Sequence, residues 1–350
     1  MSVRSRPHTL VARLDSAGDV LLQGPAVRAI AAGSARLTFL CGPRGRPAAE
    51  LLPGVEEVVC FRAEWIDPEP QPISRQAVEE LVAAVERLQP DQAVVLTSFH
   101  QSALPLALVL RLAGVPRIGA ISEDYPGSLL DVRHRVDDDL HEVERSLSLA
   151  EAMGFRLPAG DDGRLEVVRK ASLPAAAAAH RPYVAVHPGA SVPSRAWAPE
   201  RHRELVELLA ASGRRVVVTG APDEVELTAR VAGKREEVLD LGGRTPWPVL
   251  AEVLAAADAV VVGNTGPAHL AAAVGTPVVS LFSPVVPARR WRPWRVPHLL
   301  LGRQDAPCAG SRARSCPVPG HPCLDSVPAE EVATAVQQLA PRRQAAEVKA

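Results

Sequence analysis

The segment from Val261 to Phe282 constrains the fold of this chain more than any other stretch of its sequence. A β-branched run ends at Gly263, an Ala-rich stretch begins near Pro267, and a second β-branched run begins at Pro277. This pattern predicts a strand, a loop, a helix and a second strand in succession. Strands joined by a helix pair in parallel, so we expect an α/β protein.

The same alternation of strand and helix patterns recurs in both halves of the 350 residues. Hydrophobic residues make up 47% of the chain and aromatic residues only 3%, which suits small aliphatic side chains packed between helices and parallel strands. We expect two doubly wound, Rossmann-like domains facing each other across a cleft, with ligand-binding loops at the carboxyl ends of their strands. The expected boundaries are an N-terminal domain over 1–160, a linker over 161–181, a C-terminal domain over 182–327, and a last helix and tail over 328–350.

Charge and hydropathy limit the partners and the location of the chain. The formal net charge of -1 gives no overall field that would attract nucleic acid, so nucleic acid is not expected as a partner. One basic, aromatic patch, residues 289–295, is interpreted either as a contact with an anionic substrate or membrane surface, or as a loop whose tryptophans pack on the domain. The chain begins without a secretory signal, and no apolar run reaches the roughly 18 residues of a membrane span. We therefore expect a cytoplasmic protein.

Signatures of several common enzyme classes are missing from the sequence. No G-x-G-x-x-G follows a predicted strand and no G-K-[ST] phosphate loop occurs, which disfavours dinucleotide oxidoreductases and P-loop NTPases. The absence of H-E-x-x-H and G-x-S-x-G likewise disfavours zincins and α/β-hydrolases. The chemistry is therefore sought in the loops that follow the predicted strands.

The chain has five cysteines, an odd number. Cys41 and Cys60 lie in or beside predicted strands, where buried thiols are expected. Three more lie near the C-terminus: Cys308, Cys316 and Cys323. Metal binding, a disulfide and simple packing are left open for these three, although their irregular spacing in a Pro-rich loop argues against zinc, and no metal is expected.

The loop after the first predicted strand offers two carboxylates. Gly18 lets the backbone approach a ligand, and Asp19 lies where the first helix, predicted over 19–32, begins. Asp19 is interpreted either as the N-cap of that helix or as a general base, which needs only reach and a suitable pKa. Asp15 belongs to the same loop, where a single aspartate is most often solvated.

The loop after the first predicted strand of the second half, residues 187–199, carries groups suited to phosphate. Gly189 and Ala190 permit close approach of the backbone, and Ser191 offers a hydroxyl. Arg195 offers a bidentate fork that matches a donor diphosphate. A solvated arginine beside a helix-entry proline is the ordinary alternative.

A second loop of this half contains the acidic pair Asp223 and Glu224. Acidic side chains stabilise a helix N-terminus, so capping is the simplest interpretation. Contacts to the ribose or base of a bound nucleotide are the sharper alternative.

A third loop lies within the segment from Val261 to Phe282. Asn264, Thr265 and the backbone of Gly266 are expected at a helix N-terminus, where unpaired N–H groups favour an anion such as a phosphate. His269 would lie within the first turn, near the same ligand. The ordinary alternative is a strand-to-helix connection in which the threonine is a cap.

Together these motifs resemble glycosyltransferase family 9, the heptosyltransferase-like enzymes. Each motif alone is loose, but their order and spacing are specific, and the resemblance covers nearly the whole chain. It runs through RLDSAGDVLL at 13–22, HEVER at 141–145, HPGA at 187–190, NTGPAH at 264–269 and GHPCL at 320–324.

The resemblance implies a GT-B fold whose N-terminal domain binds an acceptor and whose C-terminal domain binds a nucleotide sugar. It implies an inverting, metal-independent transfer in which Asp19 takes the proton of the acceptor hydroxyl. Arg195 matches a phosphate-contacting residue that is usually Lys, and Thr265, Gly266 and His269 match the diphosphate-binding turn. The expected donor contacts are Gly18, Gly189, Ala190, Ser191, Arg195, Asp223, Glu224, Asn264, Thr265, Gly266 and His269.

The resemblance also points to substrates, with one departure. Asn264 stands where well-studied heptosyltransferases carry Asp, so ADP-heptose is the leading donor among similar nucleotide sugars. No separate cofactor is implied, and the acceptor is a hydroxyl of a cell-envelope glycan or glycolipid, reached at the inner face of the membrane. Two alternatives stay open: a GT-B-like sugar-nucleotide epimerase, and a non-catalytic protein that binds a sugar nucleotide or glycan.

Overall fold

The computed structural model describes residues 6–137 and 139–341. The chain divides into two compact units, Met1–Val168 and Arg169–Ala350, and the division falls inside the predicted linker. Each unit contains one six-stranded sheet, and helices alternate with its strands along the chain. The predicted α/β class is therefore confirmed.

The N-terminal sheet is built from short, parallel strands. The first strand carries Leu10, Val11 and Ala12, which expose none of their surface, as expected of a strand covered on both faces. The strands are β1 (His8–Arg13), β2 (Arg36–Cys41), β3 (Glu57–Cys60), β4 (Gln92–Val95), β5 (Ile118–Ile121) and β6 (Val132–His134). The helices are α1 (Ala17–Leu21), α2 (Gly24–Gly33), α3 (Arg46–Ala49), α4 (Arg75–Leu88), α5 (Leu104–Leu112) and α6 (Glu142–Ala152). The spatial order is β3-β2-β1-β4-β5-β6.

The C-terminal sheet repeats this architecture. Its strands are β7 (Tyr183–His187), β8 (Arg215–Val218), β9 (Val238–Asp240), β10 (Ala259–Gly263), β11 (Val278–Leu281) and β12 (His298–Leu301). Its helices are α7 (Ala175–Ala179), α8 (Pro199–Ala211), α9 (Val225–Ala232), α10 (Trp247–Ala255), α11 (Gly266–Ala273), α12 (Ala288–Trp291), α13 (Pro322–Asp325) and α14 (Ala329–Leu339). All neighbouring strands are parallel, in the order β12-β11-β10-β7-β8-β9. Valines of the central strands pack with Leu205 of α8 and Val332 of α14 in one core.

Each sheet has one point where its growth reverses. The chain builds outward from β1 to β3, returns to β4 beside β1, and then builds toward the opposite edge. The C-terminal sheet does the same between β7 and β10. Loops diverge at such a point and leave room at the carboxyl ends of the strands, where doubly wound proteins bind ligands. The loops that follow β1, β7 and β10 carry most of the predicted site residues.

The structure bears on two expectations, the first predicted helix and the lack of a membrane span. The helix predicted over 19–32 is two helices, α1 and α2, because Pro25 has no N–H to continue the hydrogen-bond ladder of the first. Within residues 6–137 and 139–341, no helix combines the length and apolar character needed to cross a membrane.

Candidate functional site

Ser16, in the loop after β1, is the N-cap residue of α1. Its Oγ accepts a hydrogen bond from Asp19 N over 3.5 Å and donates one to Asp19 Oδ2 over 2.7 Å. Asp19 is therefore the third residue of α1, and its interpretation as the N-cap is wrong. The side chain of Asp19 keeps 23% of its surface exposed, so part of the carboxylate is open to solvent. Gly18 is buried within α1.

A buried arginine organises this loop. Arg13 is the last residue of β1 and is 1% exposed, and each of its three guanidinium nitrogens faces a different carboxylate. Its Nε lies 2.7 Å from Asp15 Oδ1, its Nη2 3.3 Å from Asp19 Oδ1, and its Nη1 3.2 Å from Glu142 Oε2. Asp15 is not solvated as expected: its side chain is 14% exposed, and Gln101 Nε2 donates to its Oδ2 over 3.1 Å.

Three carboxylates around one guanidinium shift the pKa values of the cluster. Burial alone would lower the pKa of Arg13, but the carboxylates outweigh it and raise that pKa above its ordinary value. Burial raises the pKa of Asp15 to about 7 against the opposing charge of Arg13, and Asp19 adds to the rise. Burial also raises the pKa of Glu142, again against Arg13. The cluster contains more acidic groups than its arginine can neutralise, and Asp19 is the most exposed of them.

No pattern in the sequence predicted a role for Arg13 or Glu142. The signal for Arg13 was an arginine that ends an otherwise apolar strand and is followed by acids two and six residues later. Glu142 lies 129 residues further along the chain, in the first turn of α6. Only the packing of that helix brings it to Arg13, so no local pattern could reveal the contact.

In the C-terminal unit, the loop after β7 packs onto the end of β10. A Cβ at Gly263 would lie 3.2 Å from the carbonyl oxygen of Arg195, so the two backbones are in close contact. Arg195 ends a short 3₁₀ turn that Ser194 anchors to the chain at residues 313–314. The Ser194 N–H donates over 3.0 Å to Arg314 O, and its Oγ donates over 2.5 Å to Ala313 O. The structure thus brings Arg195 beside the turn that follows Gly263.

That turn begins α11, a helix of eight residues. Thr265 occupies the N-cap position, as the ordinary interpretation of this turn predicts, but its side chain makes no cap hydrogen bond. Gly266 is half-buried as the first helical residue, and His269 is buried in the first turn. Asn264 is 5% exposed, and its Nδ2 has no hydrogen-bond partner within the described residues. A helix N-terminus with these groups is suited to an anion.

Glu224 lies against the backbone of the loop after β7. A Cβ built on Gly189 would overlap the Glu224 carboxylate, so a larger residue there would have to displace that carboxylate. Glu224 Oε2 accepts a hydrogen bond from Ala221 N over 2.8 Å and lies 3.8 Å from His187 Nε2. Burial raises the pKa of Glu224, opposed by the Ala221 N–H, and lowers the pKa of His187 to about 4. His187 is therefore neutral at pH 7, and its Nδ1 shares a 3.0 Å hydrogen bond with Thr219 Oγ1.

The C-terminal site residues gather at one edge of their sheet. They follow β7, β8 and β10, which are neighbours in the order β10-β7-β8. Ala190 is half-buried, whereas Ser191 and Asp223 are exposed. Gly18 and Asp19 belong to the other unit, and the roles predicted for all these residues stay predictions.

The cysteine-rich and Arg/Trp-rich segments pack within the C-terminal unit. All five cysteines are free thiols. Cys308 and Cys323 are buried, and so is Cys41 as expected, whereas Cys60 is exposed, so the expectation of a buried thiol there is wrong. Among the described residues, no group of three or more His, Cys, Asp or Glu side chains is arranged to hold a metal ion. Trp291 and Trp294 are buried, as the packing interpretation of the basic patch predicts.

The sequence of this chain matches the model of a known protein family. Residues 79–320 match the family model of Glycosyltransferase family 9 (heptosyltransferase). A lipopolysaccharide heptosyltransferase 3 of Escherichia coli is 30% identical over 166 residues, which are 45% of this chain and 47% of that protein. The chain spans only about half to three-fifths of the length of the first curated relatives it matches.

Two solved structures share the fold at low sequence identity. The glycosyl transferase family 9 protein from Veillonella parvula DSM 2008 has a TM-score of 0.75 at 16% identity, covering 96% of this chain and 97% of its own. The E. coli ADP-heptose lps heptosyltransferase II has a TM-score of 0.71 at 20% identity, covering 95% and 98%. Both confirm the fold class predicted from the sequence.

Proposed function

This chain belongs to glycosyltransferase family 9, and on that premise we propose that it transfers a sugar from a nucleoside-diphosphate donor to a hydroxyl group of a cell-envelope glycan or glycolipid. ADP-heptose is the donor to test first, because a structure with the same fold is described as an ADP-heptose lps heptosyltransferase. A relative named as a lipopolysaccharide heptosyltransferase supports an acceptor of the cell envelope. No separate cofactor enters the proposal.

The observation that carries the proposal is the position of Arg195 beside the N-terminus of α11. A planar guanidinium and a helix N-terminus suit a diphosphate, which carries negative charge on both phosphates. Asn264 adds a buried amide donor that is unsatisfied within the described residues and that a phosphate or sugar oxygen would satisfy. The C-terminal unit is therefore proposed to bind the donor, with His269 and Thr265 as further contacts.

Glu224 is proposed to bind the ribose of the donor. A carboxylate accepts hydrogen bonds from vicinal hydroxyls, and the glycine at 189 lets this carboxylate lie against the backbone of the loop after β7. The nucleotide site is proposed to be completed by Ala190 and Ser191, which follow Gly189, and by Asp223, which precedes Glu224. Both segments lie at the same edge of the sheet.

In the N-terminal unit we assign Asp19 as the general base. Arg13 faces one oxygen of its carboxylate and Ser16 donates to the other, so its orientation is fixed while part of its surface stays open. The carboxylate takes the proton of the acceptor hydroxyl as the hydroxyl oxygen attacks the anomeric carbon. A positioned base of this kind contributes about 100- to 10,000-fold to a rate.

The bond from the anomeric carbon to the diphosphate oxygen breaks as the new glycosidic bond forms. A single displacement of this kind inverts the configuration at the anomeric carbon. Negative charge grows on the departing diphosphate, and groups placed to meet that charge in the transition state accelerate the step. Arg195 and the N-terminus of α11 are proposed to supply this stabilisation without a metal ion.

The test is an incubation of the full chain with ADP-heptose, with and without deacylated envelope glycolipid, followed by analysis of nucleotide and sugar products. Transfer predicts ADP release that depends on the acceptor. An epimerase would isomerise the donor without acceptor, and a binding protein would bind ADP-heptose without turnover. Either of these two results would overturn the proposal, and the family match makes both less favoured than transfer.

A further inference from the structure

Glu142 is held in an unusual environment behind the loop that carries Asp19. It is 1% exposed, and its Oε2 meets Arg13 Nη1 at 3.2 Å, a longer separation than the 2.7 Å between Arg13 Nε and Asp15. Its Oε1 is buried and has no hydrogen-bond partner among the described residues. A bare carboxylate oxygen in that position is costly, because a buried charge needs its remaining lone pairs satisfied.

One other buried acceptor oxygen shares this problem in the same place. Gln23 Oε1 has no hydrogen-bond partner within the part of the chain that the structure describes, and the Thr97 hydroxyl, which could donate to an ionised carboxylate, makes no hydrogen bond to Glu142 either. Both side chains line one small void together with Glu142, and that void is too small to admit a water molecule. Water therefore cannot satisfy the two acceptor oxygens, Glu142 Oε1 and Gln23 Oε1, but a hydroxyl hydrogen on the carboxyl group would supply the donor that this pair lacks.

We infer that Glu142 is a positioning residue that stays protonated at neutral pH, donates its hydroxyl into the void lined by Gln23 and Thr97, and accepts from Arg13 through its carbonyl oxygen. This inference rests on the proposed function for its catalytic consequence only. A neutral Glu142 orients the guanidinium without neutralising it. The positive charge of Arg13 is then left for the loop carboxylates, Asp15 and Asp19.

The charged groups around Glu142 are consistent with this assignment. Arg13 faces it from β1 and Arg145 from its own helix, and both favour the ionised form. Asp19 opposes ionisation, and burial opposes it most strongly. Binding a proton here leaves one arginine between two carboxylates, Asp15 and Asp19, instead of three, which lowers the excess of buried negative charge.

Glu142→Gln tests the inference, since the amide keeps an acceptor for Arg13 and a donor for the void. Glu144→Gln is the matched control: Glu144 lies in the same helical turn, and its Oε2 accepts from the His141 N–H in a capping box that Gln also supports. The melting temperatures of the two variants can be measured without a substrate, so this test is independent of the proposed function.

The sign of the effect follows from proton linkage. If folded Glu142 keeps a proton that the unfolded chain loses above its ordinary pKa, stability of the wild type falls as pH rises. Each pH unit over which that difference persists changes the melting temperature by about 3–5 °C in a unit of this size. The melting temperature of E142Q relative to wild type should therefore rise steadily between pH 5 and pH 8, while that of E144Q stays constant.

An ionised Glu142 predicts a different pattern. E142Q would then lack a charged partner of Arg13 and be less stable than wild type throughout pH 5 to pH 8, or it would fail to fold, and either result overturns the inference. The positioning role is tested by the rate of sugar transfer. Glu142→Ala should lower turnover about 10- to 100-fold through a displaced Arg13, and E142Q should restore it. Equal turnover in E142A and wild type would contradict the positioning role, and absence of turnover in every form would instead refute the proposed function.

Discussion

The carboxylate of Glu224 lies against the backbone of Gly189 so closely that no side chain fits between them. The contact joins the loop after β7 to the loop after β8 at the carboxyl edge of the C-terminal sheet. The Ala221 N–H holds the carboxylate in place over 2.8 Å. Because the end of a glutamate side chain can move, a methyl group at position 189 would displace the carboxylate and leave the fold intact.

Gly189→Ala is therefore expected to lower the free energy of unfolding by about 1–3 kcal/mol and to weaken ADP binding. In a Glu224→Ala background the methyl has nothing to displace, so it should add little further cost. Denaturant unfolding and ADP calorimetry on the four proteins of this cycle measure both effects. Gly24→Ala is the control, because a Cβ there meets its nearest neighbour at 3.7 Å. Equal costs of the methyl in both backgrounds would show that the contact is unimportant.

Arg195→Ala is expected to weaken binding of ADP by about 10- to 100-fold, the value of a charge-assisted hydrogen bond to phosphate. Arg203→Ala serves as the control, since Arg203 lies on α8 in an exposed ion pair with Glu207. Calorimetry with ADP compares the two variants with wild type. Unchanged affinity in R195A would remove this arginine from the donor site.

Asn264→Ala is expected to separate stability from binding. The variant removes a buried amide donor that is unsatisfied within the described residues, so the free protein should be as stable as wild type or slightly more stable. Affinity for the nucleotide sugar should fall, because the Asn264 amide is proposed to donate a hydrogen bond to an oxygen of that ligand. A variant that loses stability and keeps its affinity for ADP-heptose would contradict the assignment.

His202 is expected to make the C-terminal unit sensitive to acid. It packs against Trp197 with ring centroids 4.8 Å apart, and burial, with a contribution from His187, lowers its pKa to about 3. The unfolded chain therefore takes up the proton first, so stability is full above about pH 6.5 and is lost as pH falls, by about 2 kcal/mol at pH 5 from this group.

His202→Phe keeps the aromatic contact and removes the titrating group. Its loss of melting temperature between pH 7.5 and pH 5 should be smaller than that of wild type. His180→Gln, at a half-buried histidine of the same unit, should behave like wild type. If H202F and wild type lose stability in parallel, the acid sensitivity has another source.

The alternation of apolar runs predicted both sheets, because strands buried on both faces need continuous β-branched sequence. It also located the C-terminal loops, since a short turn between a strand and a helix is visible in composition. The close approach of the Arg195 backbone to Gly263 could not be predicted in this way. It required strands β7 and β10 to be neighbours although β8 and β9 intervene in the chain.

The N-terminal site was less accessible to sequence reasoning. The position of Asp19 after the first strand suggested both a general base and a helix cap. The structure gives the capping role to Ser16 instead. Asp15 was expected in solvent because burial of a carboxylate depends on a partner, and that partner, Arg13, ends a strand whose burial is set by its neighbours. Contacts between residues 13 and 142 arise only from packing, which no local pattern encodes.

The most direct test of the account is turnover of ADP-heptose with an envelope acceptor by wild type and by Asp19→Asn. The amide keeps the size of the carboxylate but cannot take the proton of a hydroxyl, whereas Asp162→Asn changes an exposed carboxylate and serves as the control. D19N is expected to bind ADP-heptose as wild type does and to transfer the sugar about 100- to 10,000-fold more slowly. Near-normal transfer by folded D19N would contradict it.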